Sequence, residues 1–363
     1  MRIALIQDYL RAGGTERQTV AWARWLAANG HEVVLITFRP GGALEPDDWD
    51  PGIGRISLQS TDRRLDWYAP DLVDTLHRAD PDCIVCMGRM ANSHGWSLAR
   101  SIREVPLVAT FRTGKWMSPF YRWSLKNATG IIVNSRYALE RVIREARVPS
   151  DRIALVPNPV LLNHSRRPIG MMRQSLREQA GAGDETVVLI SCAQFRPEKN
   201  QIGLVEMVAR LPAEPDWQLW LMGTGKTEKA VRARVQALGL EARIRFPGFQ
   251  MDPSPWINAA DIGVRASRSD SLSNFLIEAQ WLGLPVVTTD VGGAGECMVQ
   301  GESGWITPID DLEAFGHAVR RLIVDPGLRE KAGKAGQVFA HQHFEPEAQF
   351  RKQTDFLKRM TGM

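Results

Sequence analysis

The chain has 363 residues, of which 44% are hydrophobic and 24% charged, and it carries a formal net charge of +4. That length predicts two domains of roughly 150 to 200 residues, and the composition is that of an ordinary soluble globular protein. No apolar run approaches the roughly 18 residues of a membrane helix and Met1-Arg2-Ile3-Ala4 runs straight into a strand pattern, so neither a span nor a signal peptide is expected, and the expected location is cytoplasmic.

Arg2-Ile3-Ala4-Leu5-Ile6 reads as a short apolar strand. The glycine turn Ala12-Gly13-Gly14-Thr15-Glu16 follows, then a helix with Val20, Ala23, Leu26 and Ala27 on one face. Asn29-Gly30 stops that helix and residues 31 to 37 form the next strand, a βαβ start. Adjacent glycines at a helix N-terminus let backbone approach a ligand closely, which makes Gly13 and Gly14 candidate contacts. The run is not the six-residue dinucleotide fingerprint, and such glycines are commonly only a turn. Residues 39 to 70 have no period and read as an irregular connection with one strand near Arg55 to Leu58. Strands are expected at 83–87, 106–110 and 130–134, and helices near 93–103, 119–126 and 136–146, an alternation that implies a parallel sheet covered on both faces. Cys83 and Cys86 have the CxxC spacing, but in an apolar run with no second ligand pair they read as buried thiols.

Arg112 follows a strand end, where doubly wound sheets place ligands. The run from Lys115 to Trp123 then interleaves Trp116, Met117, Phe120, Tyr121 and Trp123 with cations. Residues 100 to 152 hold eleven Lys/Arg against four acids, an excess of seven that exceeds the charge of the whole chain, so the positive potential is localised and suits an anionic surface or substrate. Aromatics with basic neighbours fit a membrane interface or a lipid-phosphate acceptor, and helix packing explains the aromatics equally well. Nothing resembling a nucleic-acid module accompanies them, and no nucleic-acid partner is expected.

Val156-Pro157-Asn158-Pro159-Val160 closes the last strand of the first domain, and the polar stretch from 161 to 184 reads as a linker. A fresh βα alternation begins at residues 186–192, as two similar domains with a ligand cleft would produce. The segment from Cys192 to Asn200 places Arg196 and Lys199 at a strand's C-terminal end, where cations can neutralise a diphosphate leaving group. The buried strand 217–222 ends in Gly223-Thr224-Gly225, and the strand 243–246 in Pro247-Gly248-Phe249-Gln250; Asp252-Pro253 starts a short helix before the strand 261–265. The stretch from Val264 to Glu296 reads as strand, polar loop, helix and strand. Asp270 or Ser271 caps its helix, Leu272, Phe275, Leu276, Ala279 and Leu282 form a buried face, and Gly283 with Pro285 stops it. Asn274 and Glu278 stand one turn apart on another face, with Asp270 ahead of the first turn, so a phosphate at the helix N-terminus would have carboxylates beside it for sugar hydroxyls. Three helical stretches are expected between Asp311 and the end of the chain. No metal site is expected, since Asp47-Asp48 and Asp310-Asp311 fall in a connection and at a helix start.

These segments, in this order, resemble the family 4 retaining glycosyltransferases of the GT-B fold. The family signature is an acidic residue, seven others, then Glu, then Ala, a Gly-x-Pro strand and a Gly-Gly turn; here those are Asp270, Glu278, Ala279, Gly283-Leu284-Pro285 and Gly292-Gly293. The run GGTER before a helix and NGHEVVLIT is similar to the family's opening. Lys199 matches the Lys of the Arg-Leu-x-x-x-Lys segment, while Gln194 stands at its Arg position and Arg112 at one that is often His. The QFRPEK form resembles some members, among them GDP-mannose-dependent mannosyltransferases of lipid-linked oligosaccharide assembly.

The resemblance implies an α/β GT-B protein with two Rossmann-like doubly wound domains facing a central cleft. Residues 1–165 would be the acceptor domain, 166–343 the nucleotide-sugar domain and 344–363 a helix crossing back. It implies hexosyl transfer from a GDP- or UDP-sugar to a hydroxyl of a glycan or lipid-linked acceptor, without metal or any cofactor beyond the donor, in cell-surface polysaccharide or lipopolysaccharide synthesis. Lys199 and Arg196 would stabilise the departing diphosphate and Asp270 would hold the donor sugar. Gly13, Gly14, Gln194, Gly223, Gly248, Phe249, Ser273, Asn274 and Glu278 would line the nucleotide-sugar site, with Glu278 on the ribose. Arg112, Lys115 and Trp116 would face the acceptor, and the basic stretch would dock peripherally on the inner face of an anionic membrane. Two other readings fit the residues: an inactive nucleotide-sugar-binding scaffold, because Asp270, Gln194 and Arg112 depart from the usual types, and a nucleotide-sugar epimerase on the same fold.

Overall fold

The computed structural model describes residues 1–45, 49–162 and 169–363. The expected boundary at 165/166 and the pair Asp47-Asp48 lie outside the described residues. The chain divides into two compact units, Met1–Leu161 with Pro346–Met363, and Leu162–Glu345.

The first unit runs β1 (Arg2–Gln7), α1 (Gly14–Ala28), β2 (Glu32–Thr37), β3 (Ile53–Ser57), α2 (Leu72–Ala79), β4 (Cys83–Cys86), α3 (Arg89–Ser101), β5 (Leu107–Phe111), α4 (Pro119–Asn127), β6 (Gly130–Val133), α5 (Arg136–Arg141) and β7 (Ile153–Leu155). The second runs α6 (Ile169–Ala180), β8 (Val187–Cys192), α7 (Gln201–Val208), β9 (Trp217–Met222), α8 (Glu228–Ala237), β10 (Ile244–Gly248), α9 (Ser254–Ala259), β11 (Ile262–Arg265), α10 (Asn274–Trp281), β12 (Val286–Thr289), β13 (Gly304–Thr307), α11 (Leu312–Val324) and α12 (Pro326–His343). The last helix, α13 (Pro346–Thr361), belongs to the first unit.

In the first unit the strand order is β3-β2-β1-β4-β5-β6-β7, all parallel. Alternation along β1 fixes the two layers: Ile3 and Leu5 pack with Val20, Trp22 and Leu26 of α1 and Phe350 and Phe356 of α13, while Ala4 and Ile6 pack with Leu72 and Leu76 of α2 and Ala91 and Leu98 of α3. Apolar runs such as CIVC in β4, buried at every position, therefore belong to a sheet covered on both faces. The second unit repeats the plan with the order β10-β9-β8-β11-β12-β13, again all parallel. In each sheet the direction of winding reverses once, between β1 and β4 and between β8 and β11. The crevice at such a reversal, at the carboxyl ends of the strands, is where a doubly wound sheet places its ligand.

Some elements differ from the sequence expectation. The helix expected from residue 93 begins at Arg89, because Asp8 at the end of β1 caps it: its carboxylate accepts the backbone N–H of Met90 at 3.0 Å and of Ala91 at 2.6 Å. The helix expected from Asp270 or Ser271 begins at Asn274 with Ser273 as its cap, since the Asp270 side chain is engaged elsewhere. The stretch expected at 136–146 is helical, but its second half, Val142–Ala146, is wound as a π-helix. Helix α6 occupies part of what reads as a linker. No helix among the described residues is long and apolar enough to cross a membrane.

Candidate active site

The reversal in the second sheet is bridged by a side chain. Arg265, the last residue of β11, sends Nη1 to the carbonyl of Cys192 at the end of β8, 2.8 Å away, and Nε to Ser267 Oγ at 2.9 Å. Its Nη2 reaches Asp270 Oδ2 at 3.3 Å. Lys199, from the loop after β8, reaches the same Oδ2 at 2.8 Å. Burial would raise the Asp270 carboxyl, but Lys199 and Arg265 outweigh it and hold the group below the ordinary carboxylate range. Burial lowers the Lys199 ammonium, the Arg265 charge adds to that, and Asp270 opposes it. Two cations share one carboxylate, which leaves an excess positive charge at the end of the strands where a ligand is expected.

The cap of α10 adjoins this cluster. Ser273 lines one small cavity together with Arg265, Asp270, Leu276, Thr288, Val291 and Ala294. Its Oγ is shut off from solvent and has no hydrogen-bond partner, so α10 begins without a side-chain cap. Asn274 is half-buried in the first turn, and Glu278 is buried one turn further along. Arg196 is half-buried just before Pro197 and makes no ion pair among the described residues.

Glycines let the supporting loops close on one another. Gly223, at φ +122°, lies so near the Ala193 carbonyl that a Cβ would collide with it, and it donates to Gly248 O at 2.8 Å. The loops after β8, β9 and β10, with Gln194, Gly223 and Gly248, are thereby stacked side by side, and Phe249 is exposed beyond them. Gly292, at φ +53°, approaches the Asp270 carbonyl in the same way, and Gly293 N donates to Ser271 O at 2.6 Å. The Gly-Gly turn is thus the floor under the loop that carries Asp270.

The remaining candidates belong to the first unit. Gly13 precedes α1, and the Glu16 carboxylate folds over it where a Cβ would sit, so any anion at this helix start meets an acid already in place. At the reversal between β1 and β4 it is Asp8, not an open space, that occupies the start of α3, and Gly88 has no Cβ because one would strike that carboxylate. Arg112 follows β5 and is half-buried; Lys115 and Trp116 are exposed. The aromatic run divides by helical phase: Trp116, Phe120 and Trp123 are 66%, 53% and 50% exposed, whereas Met117 and Tyr121 lie in the core. Of the five side chains expected at an interface, three are therefore exposed.

Comparison with known proteins fits this geometry. Residues 12–164 match the family described as Glycosyltransferase Family 4, and residues 172–339 the one described as Glycosyl transferases group 1. The chain belongs to the family 4 glycosyltransferases. Its fold is GT-B: the structure of HepE from Anabaena, solved with UDP, superposes with a TM-score of 0.79 over 99% of this chain and 100% of that one at 21% identity. The sucrose-phosphate synthase of Thermosynechococcus elongatus gives 0.86 over 100% and 99% at 22% identity. The lipopolysaccharide core biosynthesis glycosyltransferase LpsE of Rhizobium meliloti (strain 1021) is 34% identical over 161 residues, 44% of this chain and 46% of that protein. The chain spans about half the length of the first curated relatives it matches, or less.

Arg265 is the member of this cluster that the sequence reading does not single out. A lone cation ending an otherwise apolar buried strand, five residues before Asp270, is the signal that could have found it.

Proposed function

We propose that this family 4 protein transfers a sugar from a GDP- or UDP-sugar to a hydroxyl of a glycan or lipid-linked acceptor, with retention at the anomeric carbon, in cell-surface polysaccharide or lipopolysaccharide synthesis. The observation that carries the reading is the Lys199–Asp270–Arg265 cluster at the strand reversal of the second unit. Its excess charge suits the diphosphate of a donor, and the start of α10, which has no side-chain cap, offers the Ser273 hydroxyl beside it. In the reaction the bond from the anomeric carbon to the phosphate oxygen breaks, and negative charge grows on the diphosphate. Lys199, exchanging Asp270 for a phosphate oxygen, and the unpaired Arg196 stabilise that charge. Asp270, still held by Arg265, then takes a hydroxyl of the sugar, and Glu278 the ribose hydroxyls. The acceptor oxygen bonds to the carbon from the face the phosphate leaves, and its proton passes to the departing phosphate, a displacement that needs no nucleophilic side chain. Catalysis of this kind needs no divalent metal. The similarity to LpsE, a lipopolysaccharide core biosynthesis glycosyltransferase, supports the polysaccharide context, and the UDP in HepE supports a nucleotide donor. Peripheral docking of the first unit on an anionic membrane is part of the reading.

Thermal shift with UDP-, GDP- and free sugars, followed by transfer assays on the stabilising donor, tests it. A ligand at 100 times its dissociation constant adds roughly 2.7 kcal/mol to stability. Expected are stabilisation by one nucleotide sugar, EDTA-resistant transfer and an unchanged anomeric configuration in the product. An inverted product, a strict need for added metal, or binding without turnover across an acceptor panel would overturn it.

A further inference from the structure

We infer that Arg112 is the receptor for an anionic group, a carboxylate or a phosphate, on a sugar-bearing substrate; this rests on the glycosyltransferase reading and adds the charge class of what the first unit takes. Arg112 stands directly after β5, at the carboxyl edge of the sheet. Its Nη2 donates to Gln353 Oε1 of α13 at 3.3 Å, a long bond to a neutral acceptor. Its Nε and Nη1 are both closed off from solvent and find no acceptor among the described residues.

The buried arginines among the described residues show what a structural arginine looks like in this fold. Arg141 is paired with Glu145, Arg177 with Asp261 and Arg265 with Asp270. Arg112 has no such carboxylate among the described residues. The one titratable neighbour that acts on it is Tyr121 of α4, whose proton is retained by burial and whose hydroxyl donates to Thr110 O at 2.6 Å. Burial accordingly pushes the Arg112 guanidinium down to about 10. A buried cation with unmade donors is costly, and a glutamine or methionine would fill the space without that cost. An arginine kept there fits an anion that arrives with the ligand, since guanidinium is the side chain best matched to carboxylate and phosphate.

The loop is also built to hold such a group still. From α5, Arg141 donates Nη1 to Thr113 O at 3.3 Å and to Lys115 O at 3.1 Å, while Glu145 fixes its other end at 2.7 Å. The backbone that carries Arg112 is thus braced before any ligand binds, which reduces the ordering that binding would require.

The test uses the full-length protein and paired probes that differ by one charged group. Glucuronate is set against glucose in the presence of UDP or GDP, for a carboxylate. Mannose 6-phosphate is set against mannose in the presence of UDP or GDP, for a phosphate. Affinities are measured by calorimetry for the wild type, Arg112→Gln and Arg112→Lys, with UDP and GDP alone as the reference. In one of the pairs the anionic member should bind at least about tenfold tighter to the wild type, the scale of a charge-assisted bond. Arg112→Gln should erase that preference, Arg112→Lys should keep part of it, and the bare nucleotide should bind equally to all three; the responding pair names the anion. No preference in any pair, or a preference that survives in Arg112→Gln, overturns the assignment. Gln353→Leu guards against a merely structural role: it should leave the preference in place, and its loss there would make Arg112 a tether for α13. Failure of both UDP and GDP to bind the wild type would instead sink the glycosyltransferase reading.

Discussion

Lys199 and Arg265 both end on Asp270 Oδ2, yet only Lys199 sits on a loop that can turn toward an incoming phosphate, and the two substitutions therefore differ in what they measure. Lys199→Ala should lower turnover by on the order of 100-fold, as loss of one preorganised charge stabiliser does, with a smaller effect on nucleotide affinity. Glu278→Gln should weaken nucleotide binding as well, because ribose contacts exist before reaction. If both variants fold and keep full activity by steady-state kinetics, the site is misplaced. A second residue-scale prediction concerns Asp8. Burial pushes its carboxyl up to about 6, against the opposing N–H bonds of Met90 and Ala91. A carboxyl raised in the folded state stabilises in its protonated form: its contribution is complete below the ordinary value near 3.9 and is lost as pH rises through 6, an amount of about 3 kcal/mol. Urea unfolding at pH 4.5 and 7 should show wild-type stability falling relative to Asp8→Asn across that window. Parallel pH profiles would mean that Asp8 titrates normally.

At the level of elements, what could be read in advance was whatever the chain states locally. The run Trp217–Met222 has the bounds its apolar residues announce, and Asp270 and Glu278 stand at a spacing written in nine consecutive positions. What stayed hidden is set by residues far apart in sequence. The start of α3 depends on Asp8, some eighty positions away, and the start of α10 on whether Asp270 caps the helix or pairs with Lys199 and Arg265. Helix α6 lay unread because its segment is polar enough to pass for a linker, yet the guanidinium of Arg177 from that helix pairs with Asp261. The docking of α13 has the same distant logic. Gly130, first residue of β6, lies against Phe356 and Met360; a Cβ there would come within 2.7 Å of the Phe356 ring and 2.8 Å of the Met360 sulfur. Gly130→Val should therefore cost roughly 1–3 kcal/mol by overpacking, read as a lowered denaturation midpoint. Adding Phe356→Ala, which frees that space, should restore part of the loss, and simple additivity of the two changes would show that α13 does not rest on Gly130.

At the scale of the whole molecule, charge and exposed apolar surface coincide in one place. Trp116, Phe120 and Trp123 project from the start and first turns of α4, and Trp123 meets Phe120 at 5.8 Å and Trp96 of α3 at 6.3 Å, ring centre to ring centre. Lys115 and Lys126 on or beside α4, and Arg100 and Arg103 at the end of α3, are exposed, while Arg141 is withdrawn from the surface charge by Glu145. Three aromatic side chains that could leave water at a headgroup layer, with cations beside them, would suit the peripheral docking proposed above, which needs no spanning helix. Each cation near an anionic leaflet contributes about 1 kcal/mol, so four suffice for reversible binding, and salt must weaken it. Co-sedimentation with vesicles of phosphatidylcholine alone and with 30% (roughly, a level that gives a substantial surface potential) phosphatidylserine should show pelleting with the anionic vesicles only, reduced at high salt. Replacing Trp116, Phe120 and Trp123 by serine should abolish it while nucleotide binding persists, because those side chains are at least half exposed and belong to none of the core clusters. Equal pelleting with both vesicles, or none with either at low salt, would leave this face as solvated surface or as the approach to a water-soluble acceptor.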